Sequence, residues 1–307
     1  MKRTGKHNVH HDTIRPIRRK QRNRLSVDSK SDTRETCTDC YNFYNLLGLH
    51  SGTKEARICR KYLSNYFNGD FYISSTDKLT DGQFLQLLKR KKTRNSKLDR
   101  QRRAEIRASY KVSQLLDMLK RPLKRRHKTI NDYPKVLDVG SEDKYWPKAL
   151  KQAGFKEVYG INVPGFFNDP AIFSSKAYTK FKLFNGTMLP AEYPYDFNIV
   201  TITMVLHHIK PSKRLSLIKS IRRHMNNTGY VMVYEHAINL DHAILLNNCI
   251  HKLYEYVNSN EPFKDGSDYW YMTDTDVTEL FKKAGFSIVE YRSVVRSDKM
   301  FMLFTPS

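Results

Sequence analysis

Beyond Asn131 the chain alternates short apolar runs with amphipathic stretches of helical period, and this alternation limits the fold more than any other feature. Lys135-Val136-Leu137-Asp138-Val139 reads as a buried strand, and Tyr145 to Ala153 as a helix closed by Gly154. Glu157 to Ile161, Tyr178 to Phe184, Phe197 to Ile202 and Tyr230 to Tyr234 read as four more strands. Ser212 to Met225 is a predicted helix, ended by a turn at Asn226-Asn227-Thr228-Gly229. Asp241 to Val257 and Asp274 to Ala284 are predicted helices as well. The last two strands, Ser287 to Tyr291 and Met300 to Phe304, lie too close together for a crossover helix, so they should pair antiparallel. Strand–helix alternation calls for right-handed crossovers. The predicted fold is therefore α/β, with a seven-stranded, mostly parallel sheet, helices on both faces and a terminal antiparallel pair.

Charge divides the chain differently. The formal net charge is +23 over 307 residues, yet residues 129–307 contribute only 21 basic against 19 acidic side chains. Residues 1–34 hold 11 basic and 3 acidic groups with almost no apolar spacing, which predicts a disordered basic arm. Residues 89–128 hold 17 basic and 3 acidic groups. Between these stretches, Tyr41, Phe43, Tyr44, Leu46, Leu47 and Leu49, then Tyr62, Leu63, Tyr66 and Phe67, supply apolar positions at helical spacing. Ile106, Tyr110, Leu115, Leu116 and Leu119 mark an amphipathic helix whose other face carries Arg102, Arg103, Arg107 and Lys111, and which Pro122 should end. The reading is a small, basic, mainly helical module over 35–128, followed by the α/β domain over 129–307. A front of this charge points to a polyanion, nucleic acid first and RNA in particular, held by 1–34 and 89–128.

No run of about 18 apolar residues occurs, so no membrane span or membrane partner is expected, and the N-terminus lacks the apolar stretch of a secretory signal. Four cysteines, at 37, 40, 59 and 249, are too few for a disulfide scaffold and suit a reducing interior, cytoplasmic or nuclear. Cys37-x2-Cys40 with His50 and Cys59 offers four ligands for zinc, but the spacing of the last two matches no standard finger and a second Cys-x2-Cys is missing, so unpaired cysteines are the preferred reading and zinc the alternative.

In a sheet of this kind ligands bind beyond the C-terminal strand ends, where strand order reverses. Strand one ends in Leu137-Asp138-Val139-Gly140-Ser141, strand two at Asn162, and strand three runs into Phe184-Asn185-Gly186-Thr187-Met188-Leu189-Pro190. Strand four runs into Met204-Val205-Leu206-His207-His208-Ile209. With the closing pattern from Tyr271-Met272-Thr273 to Ala284-Gly285-Phe286, these motifs in this order resemble the Rossmann-like class I S-adenosylmethionine-dependent methyltransferases over about residues 134–305. The resemblance implies S-adenosyl-L-methionine as cofactor. It implies that Asp138, Gly140 and Ser141 line the methionine end, and that Asn162 meets the ribose hydroxyls. Asn185 and Gly186 would lie at the adenine, and Met204 and Leu206 beside the sulfonium. The chain departs from the family at Glu142, where a second glycine is usual, and at Asn162 and Asn185, where carboxylates are usual. An Asn carbonyl still accepts a hydrogen bond, without charge assistance.

A sulfonium is an activated donor, so the protein must align a nucleophile, and a side chain is needed only where the acceptor loses a proton. The Lys-Asp-Lys-Glu tetrad of cap ribose methyltransferases has no counterpart at these strand ends. Tyr234-Glu235-His236 resembles an Arg-Glu-His signature of some viral ribose-methyltransferase-like enzymes, and a composition rich in Lys, Asn, Ile and Tyr suits an AT-rich, viral source. His251 and Tyr254 share a predicted helix face beyond that motif, so His236, Glu235, His207, His251 and Tyr254 are the candidate catalytic residues. The expected function is methylation of RNA, mRNA caps included, at a base nitrogen or at a hydroxyl served by His. A small-molecule or protein methyltransferase, to which Leu206-His207-His208-Ile209 is equally suited, and an inactive nucleic-acid-binding descendant are the alternatives.

Overall fold

The computed structural model describes residues 54, 97–141, 144–164, 176–237, 248, 251, 269–293 and 299–307. The arm 1–34 and, apart from Lys54, the module residues before Lys97 lie outside the described residues. So do the four cysteines, His50, Tyr254 and most of the helix expected at 241–257, of which Asn248 and His251 are helical.

The elements are α1 (Lys97–Arg125), β1 (Lys135–Val139), α2 (Tyr145–Gln152), β2 (Glu157–Asn162), β3 (Lys180–Leu183), β4 (Phe197–Thr203), α3 (Pro211–Arg223), β5 (Met225–His236), α4 (Asp274–Lys283), β6 (Phe286–Ser293) and β7 (Lys299–Pro306). The seven strands form one sheet in the order β3-β2-β1-β4-β5-β7-β6. Strands β1 to β5 are parallel, and β7 runs antiparallel to both β5 and β6. This is the Rossmann-like sheet with the expected antiparallel pair. Strand order reverses between β1 and β4, and sheets of this kind bind ligands beyond the C-terminal strand ends at such a point.

Alternation along β1 explains the two cores. Leu137 and Val139 join β4, β5, α3 and α4 residues in one buried cluster, whereas Val136 joins Leu115, Met118, Leu119, Trp146 and Leu150 in the other. Helix α1 is therefore one of the covers of the sheet. Its side chains Leu115, Met118 and Leu119 are fully buried, each stabilising the fold by about 1.5–3 kcal/mol. Placing this helix in a module separate from the α/β domain is thus corrected: a boundary at 128/129 would cut through one hydrophobic core.

Three local expectations change. Helix α1 continues through Pro122 to Arg125, because the buried Pro122 and Leu123 still face the sheet and only the last turn loses a backbone bond. Its buried stripe runs through Ala108, Val112, Leu115, Met118 and Leu123, leaving Ile106 60% and Tyr110 44% exposed. Residues 226–229 form the first part of β5 rather than a turn. There Gly229 passes so close to β4 that a Cβ would lie 2.7 Å from the Asn198 carbonyl oxygen.

Candidate active site

The strand ends at this reversal are organised by Gly140. Its backbone is left-handed at φ +81°, and its N–H donates to the Ile161 carbonyl at 2.8 Å. A Cβ there would lie 2.1 Å from Val205 Cγ2, so only glycine lets the chain leaving β4 close over this turn. Met204 is left-handed as well, at φ +59°, an unusual conformation for a non-glycine residue, and its N–H donates to the Tyr234 carbonyl at 2.7 Å. The bend turns β4 into a short 3-10 helix, Leu206–His208.

Beneath Gly140, Asp138 is 2% exposed. Its Oδ2 accepts from Ser141 Oγ at 2.8 Å and Tyr178 OH at 3.0 Å, and its Oδ1 from Thr201 Oγ1 at 3.0 Å. Trp146 Nε1 donates to Thr201 Oγ1 in turn, at 3.3 Å. Burial pushes the Asp138 carboxyl up to about 6, against the three hydroxyl donors and the nearby Lys111 charge, which pull it down. Gly160 makes this cluster possible, since a Cβ would fall 2.6 Å from the Tyr178 ring and 2.8 Å from Ser141 Oγ. At the end of β2, Asn162 Nδ2 donates to the Ser141 carbonyl at 2.8 Å.

A second buried carboxylate ends β5. Glu235 Oε1 accepts the backbone N–H of Val205 at 2.7 Å and of Leu206 at 2.6 Å, capping the 3-10 helix. Its Oε2 accepts from His207 Nδ1 at 2.7 Å and from the His236 backbone N–H at 3.2 Å. Both Glu235 and His207 are at most 3% exposed. Burial raises the Glu235 carboxyl, but the His207 and His236 charges and hydrogen bonds outweigh it and hold the group at about 2. The His207 ring packs on His208 (4.1 Å between centroids), His236 (4.9 Å) and His251 (5.1 Å), with Tyr269 and Tyr271 beside them. Nε2 of His236 lies 3.1 Å from Nε2 of His251. Burial, reinforced by neighbouring imidazoles, pushes His208 down to about 3 and His251 down to about 2, so both stay neutral. Arg214 fastens the cluster, with Nε donating to the Leu206 and Ile209 carbonyls at 3.0 Å and a guanidinium nitrogen to the Trp270 carbonyl.

Val205 joins the two carboxylate clusters: its N–H rests on Glu235 and its side chain closes over Gly140. Residues 83–291 match the family described as a methyltransferase domain, and the chain belongs to that family. The protein is a methyltransferase. Similar solved structures include the PH0226 protein of Pyrococcus horikoshii OT3, at 18% identity over 64% of this chain and 91% of that one, with a TM-score of 0.44. A SAM-dependent methyltransferase of Methanosarcina mazei is 15% identical over 58% of this chain and 96% of its own, at a TM-score of 0.42. The mitomycin 7-O-methyltransferase MmcR is 11% identical over 58% of this chain and 50% of its own, at 0.44. No curated protein matches the chain. None of these similarities carries the viral cap-enzyme likeness of Tyr234-Glu235-His236.

The β1 turn is where the family resemblance sets the cofactor. There Val205 covers Gly140, and Asp138 and Asn162 are buried, with the Asp138 oxygens accepting from three hydroxyls and Asn162 tied to the Ser141 carbonyl and the Val163 N–H. Asn185 is different: it is exposed, and its Oδ1 accepts from Thr187 N, Thr187 Oγ1 and Met188 N at 2.8–3.0 Å, closing its own turn beside Gly186 at φ +83°. Leu206, expected beside the sulfonium, has its side chain fully buried in the core instead, because the 3-10 helix turns it under the sheet edge. Of the candidate catalytic residues, the methyltransferase brings Glu235, His207, His236 and His251 together. Sequence reasoning missed Thr201, Tyr178, Lys111, Arg214 and Tyr269. Thr201 alone had a signal, since it stands opposite Asp138 in the parallel register of β1 and β4.

Proposed function

We propose that this methyltransferase acts on a hydroxyl of RNA. The reading is carried by an exposed stripe on α1. Arg102, Ile106 and Tyr110 follow one another at helical spacing, with Arg107 alongside, all exposed. One residue further on, Lys111 Nζ reaches Thr203 Oγ1 at the C-terminal end of β4, at 3.4 Å, which puts the stripe at that end of the domain. Guanidinium groups beside an exposed aromatic and an aliphatic side chain suit phosphate contacts combined with base stacking. Lys120 to Arg125, by contrast, are at the far end of α1, about 20 Å away at 1.5 Å per residue.

Bound S-adenosylmethionine supplies the methyl group as an activated sulfonium. The chain's part is to hold the acceptor hydroxyl and remove its proton. In its neutral form His207 donates its Nδ1–H to the ionised Glu235, which fixes the tautomer and presents Nε2 as proton acceptor, while the neutral His208 and His251, with Tyr269, exclude water. A small-molecule hydroxyl is the second reading, favoured by the enclosed ring of aromatic side chains around His207.

Labelled methyl transfer from cofactor to a panel of RNA, DNA, protein and small phenols separates these readings. RNA should take the label and, after alkaline hydrolysis, keep it in uncleaved dinucleotides. Arg102→Glu with Arg107→Glu should weaken RNA binding and lower the salt slope by about one per lost phosphate contact. Label found only in small molecules or protein overturns the proposal.

A further inference from the structure

We propose that His207, His208 and His251 form a three-nitrogen site for a divalent transition-metal ion of the zinc class, with Glu235 orienting His207. One ring nitrogen from each of the three lies within 4.8 Å of the others. Tetrahedral zinc with Zn–N bonds near 2.0–2.1 Å needs about 3.4 Å between ligand nitrogens, so small ring rotations close the set.

A second observation points the same way. His207 Nε2 is buried and has no hydrogen-bond partner among the described residues, while Nδ1 of the same ring donates to Glu235. A buried nitrogen left without a partner is destabilising, and an ion bound there removes that penalty. Carboxylate to imidazole to metal is the usual arrangement by which a second carboxylate fixes the tautomer of a ligating histidine. The support is rigid. His207 and His208 sit on the 3-10 helix that Glu235 caps from one end and Arg214 grips by its carbonyls. Imidazoles without thiolates suit Zn²⁺, Co²⁺ or Ni²⁺ and disfavour Mg²⁺ and Ca²⁺, which take oxygen. With the ion bound, His207 Nε2 is a ligand and no longer a proton acceptor; three protein ligands then leave a fourth position open for water or a substrate hydroxyl, and a hydroxyl bound there releases its proton to water more readily. The inference rests on the histidine geometry and does not require an RNA substrate.

The test uses the full chain, stripped with a chelator and titrated with Co²⁺ while the visible d–d absorption is followed, with Zn²⁺ competing. The expected result is one ion per chain and a tetrahedral spectrum that Zn²⁺ abolishes. His208→Ala and His251→Ala should each weaken binding at least about 10-fold, and Glu235→Gln by roughly 10–100-fold. The triple variant Cys37→Ser, Cys40→Ser, Cys59→Ser should bind as the wild type does. No stoichiometric uptake by the wild type, uptake unchanged in the histidine variants, or uptake lost in the cysteine variant overturns the site. Where a histidine variant melts early by circular dichroism, the wild-type titration and the cysteine variant still decide. A chain that binds the ion without methylating RNA retains this inference and loses the substrate proposal; a chain that methylates RNA without binding the ion does the reverse.

Discussion

Two carboxylates lie buried at neighbouring strand ends, Asp138 after β1 and Glu235 at the end of β5, and their acidities are driven in opposite directions. Asp138 is held at about 6 and Glu235 at about 2. Desolvation raises both, so burial alone cannot explain the contrast. The donors do. Asp138 is met by three hydroxyls, from Ser141, Tyr178 and Thr201, each of which can rotate and either donate or accept. Such partners tolerate a protonated acid as well as a carboxylate. Glu235 is met first by the His207 charge and ring N–H, then by the His236 charge and backbone N–H, with the N–H groups of Val205 and Leu206 on its other oxygen. Backbone N–H groups only donate, so this site demands an ionised acceptor. One cluster is adaptable in charge and the other is committed.

The largest effect should follow from removing the committed carboxylate. Glu235→Ala strips the acceptor from the Val205 and Leu206 N–H groups and from His207 Nδ1 at once. Breaking a buried charged network in this way costs about 3–5 kcal/mol, and chemical denaturation should show it, together with loss of methyl transfer. A loss below about 1 kcal/mol would mean that the capped 3-10 helix does not depend on Glu235.

The adaptable site should show itself in pH dependence. The native Asp138 carboxyl binds its proton more tightly than the unfolded one, at about 6 against 3.8. Its contribution to stability is therefore complete below about pH 4 and lost as the pH rises through 6, a swing of up to about 3 kcal/mol. Asp138→Asn cannot ionise, and the surrounding hydroxyls can turn to suit a carboxamide. The stability difference, wild type minus variant, should fall between pH 4 and pH 7.5 in paired denaturation curves. A flat difference would show that the native carboxyl titrates where an unfolded one does.

Most of the sheet was legible because its strands are short apolar runs, and a run such as Lys135-Val136-Leu137-Asp138-Val139 needs only its own period to be read. Helix α1 was legible as a helix but not as part of the domain. Its charge spoke for a separate basic module, whereas Ala108, Val112 and Met118, which join the sheet's core, stand scattered among charged and polar neighbours and carry a weak sequence signal. In the site, Glu235, His207 and His236 lie at strand ends and could be chosen from sequence. Tyr269 and Arg214 could not, because nothing in the local pattern says which loop folds back over a strand end. Only the tertiary fold brings the Trp270 N–H to within 2.8 Å of the His207 carbonyl.

The smallest effect is also the sharpest test of the comparison. Tyr178→Phe removes one of the two hydroxyls on Asp138 Oδ2 and leaves the ring that fills the space over Gly160. A hydrogen bond to an ionised acceptor is worth about 1.5–3 kcal/mol and one between neutral partners about 0.5–1.5. The variant should therefore lose more stability at pH 7.5, where Asp138 is ionised, than at pH 4.5, where it is mostly protonated. The Asp138 carboxyl should move further up, because a donor that favoured its charged form is gone. The carboxyl carbon shift of Asp138, followed by NMR across pH in both proteins, reads that movement directly. Were the titration to move down, or the loss to be greater at pH 4.5, the Tyr178 hydroxyl would be serving the protonated acid. Charge adaptability at Asp138 would then belong to Ser141 and Thr201 alone.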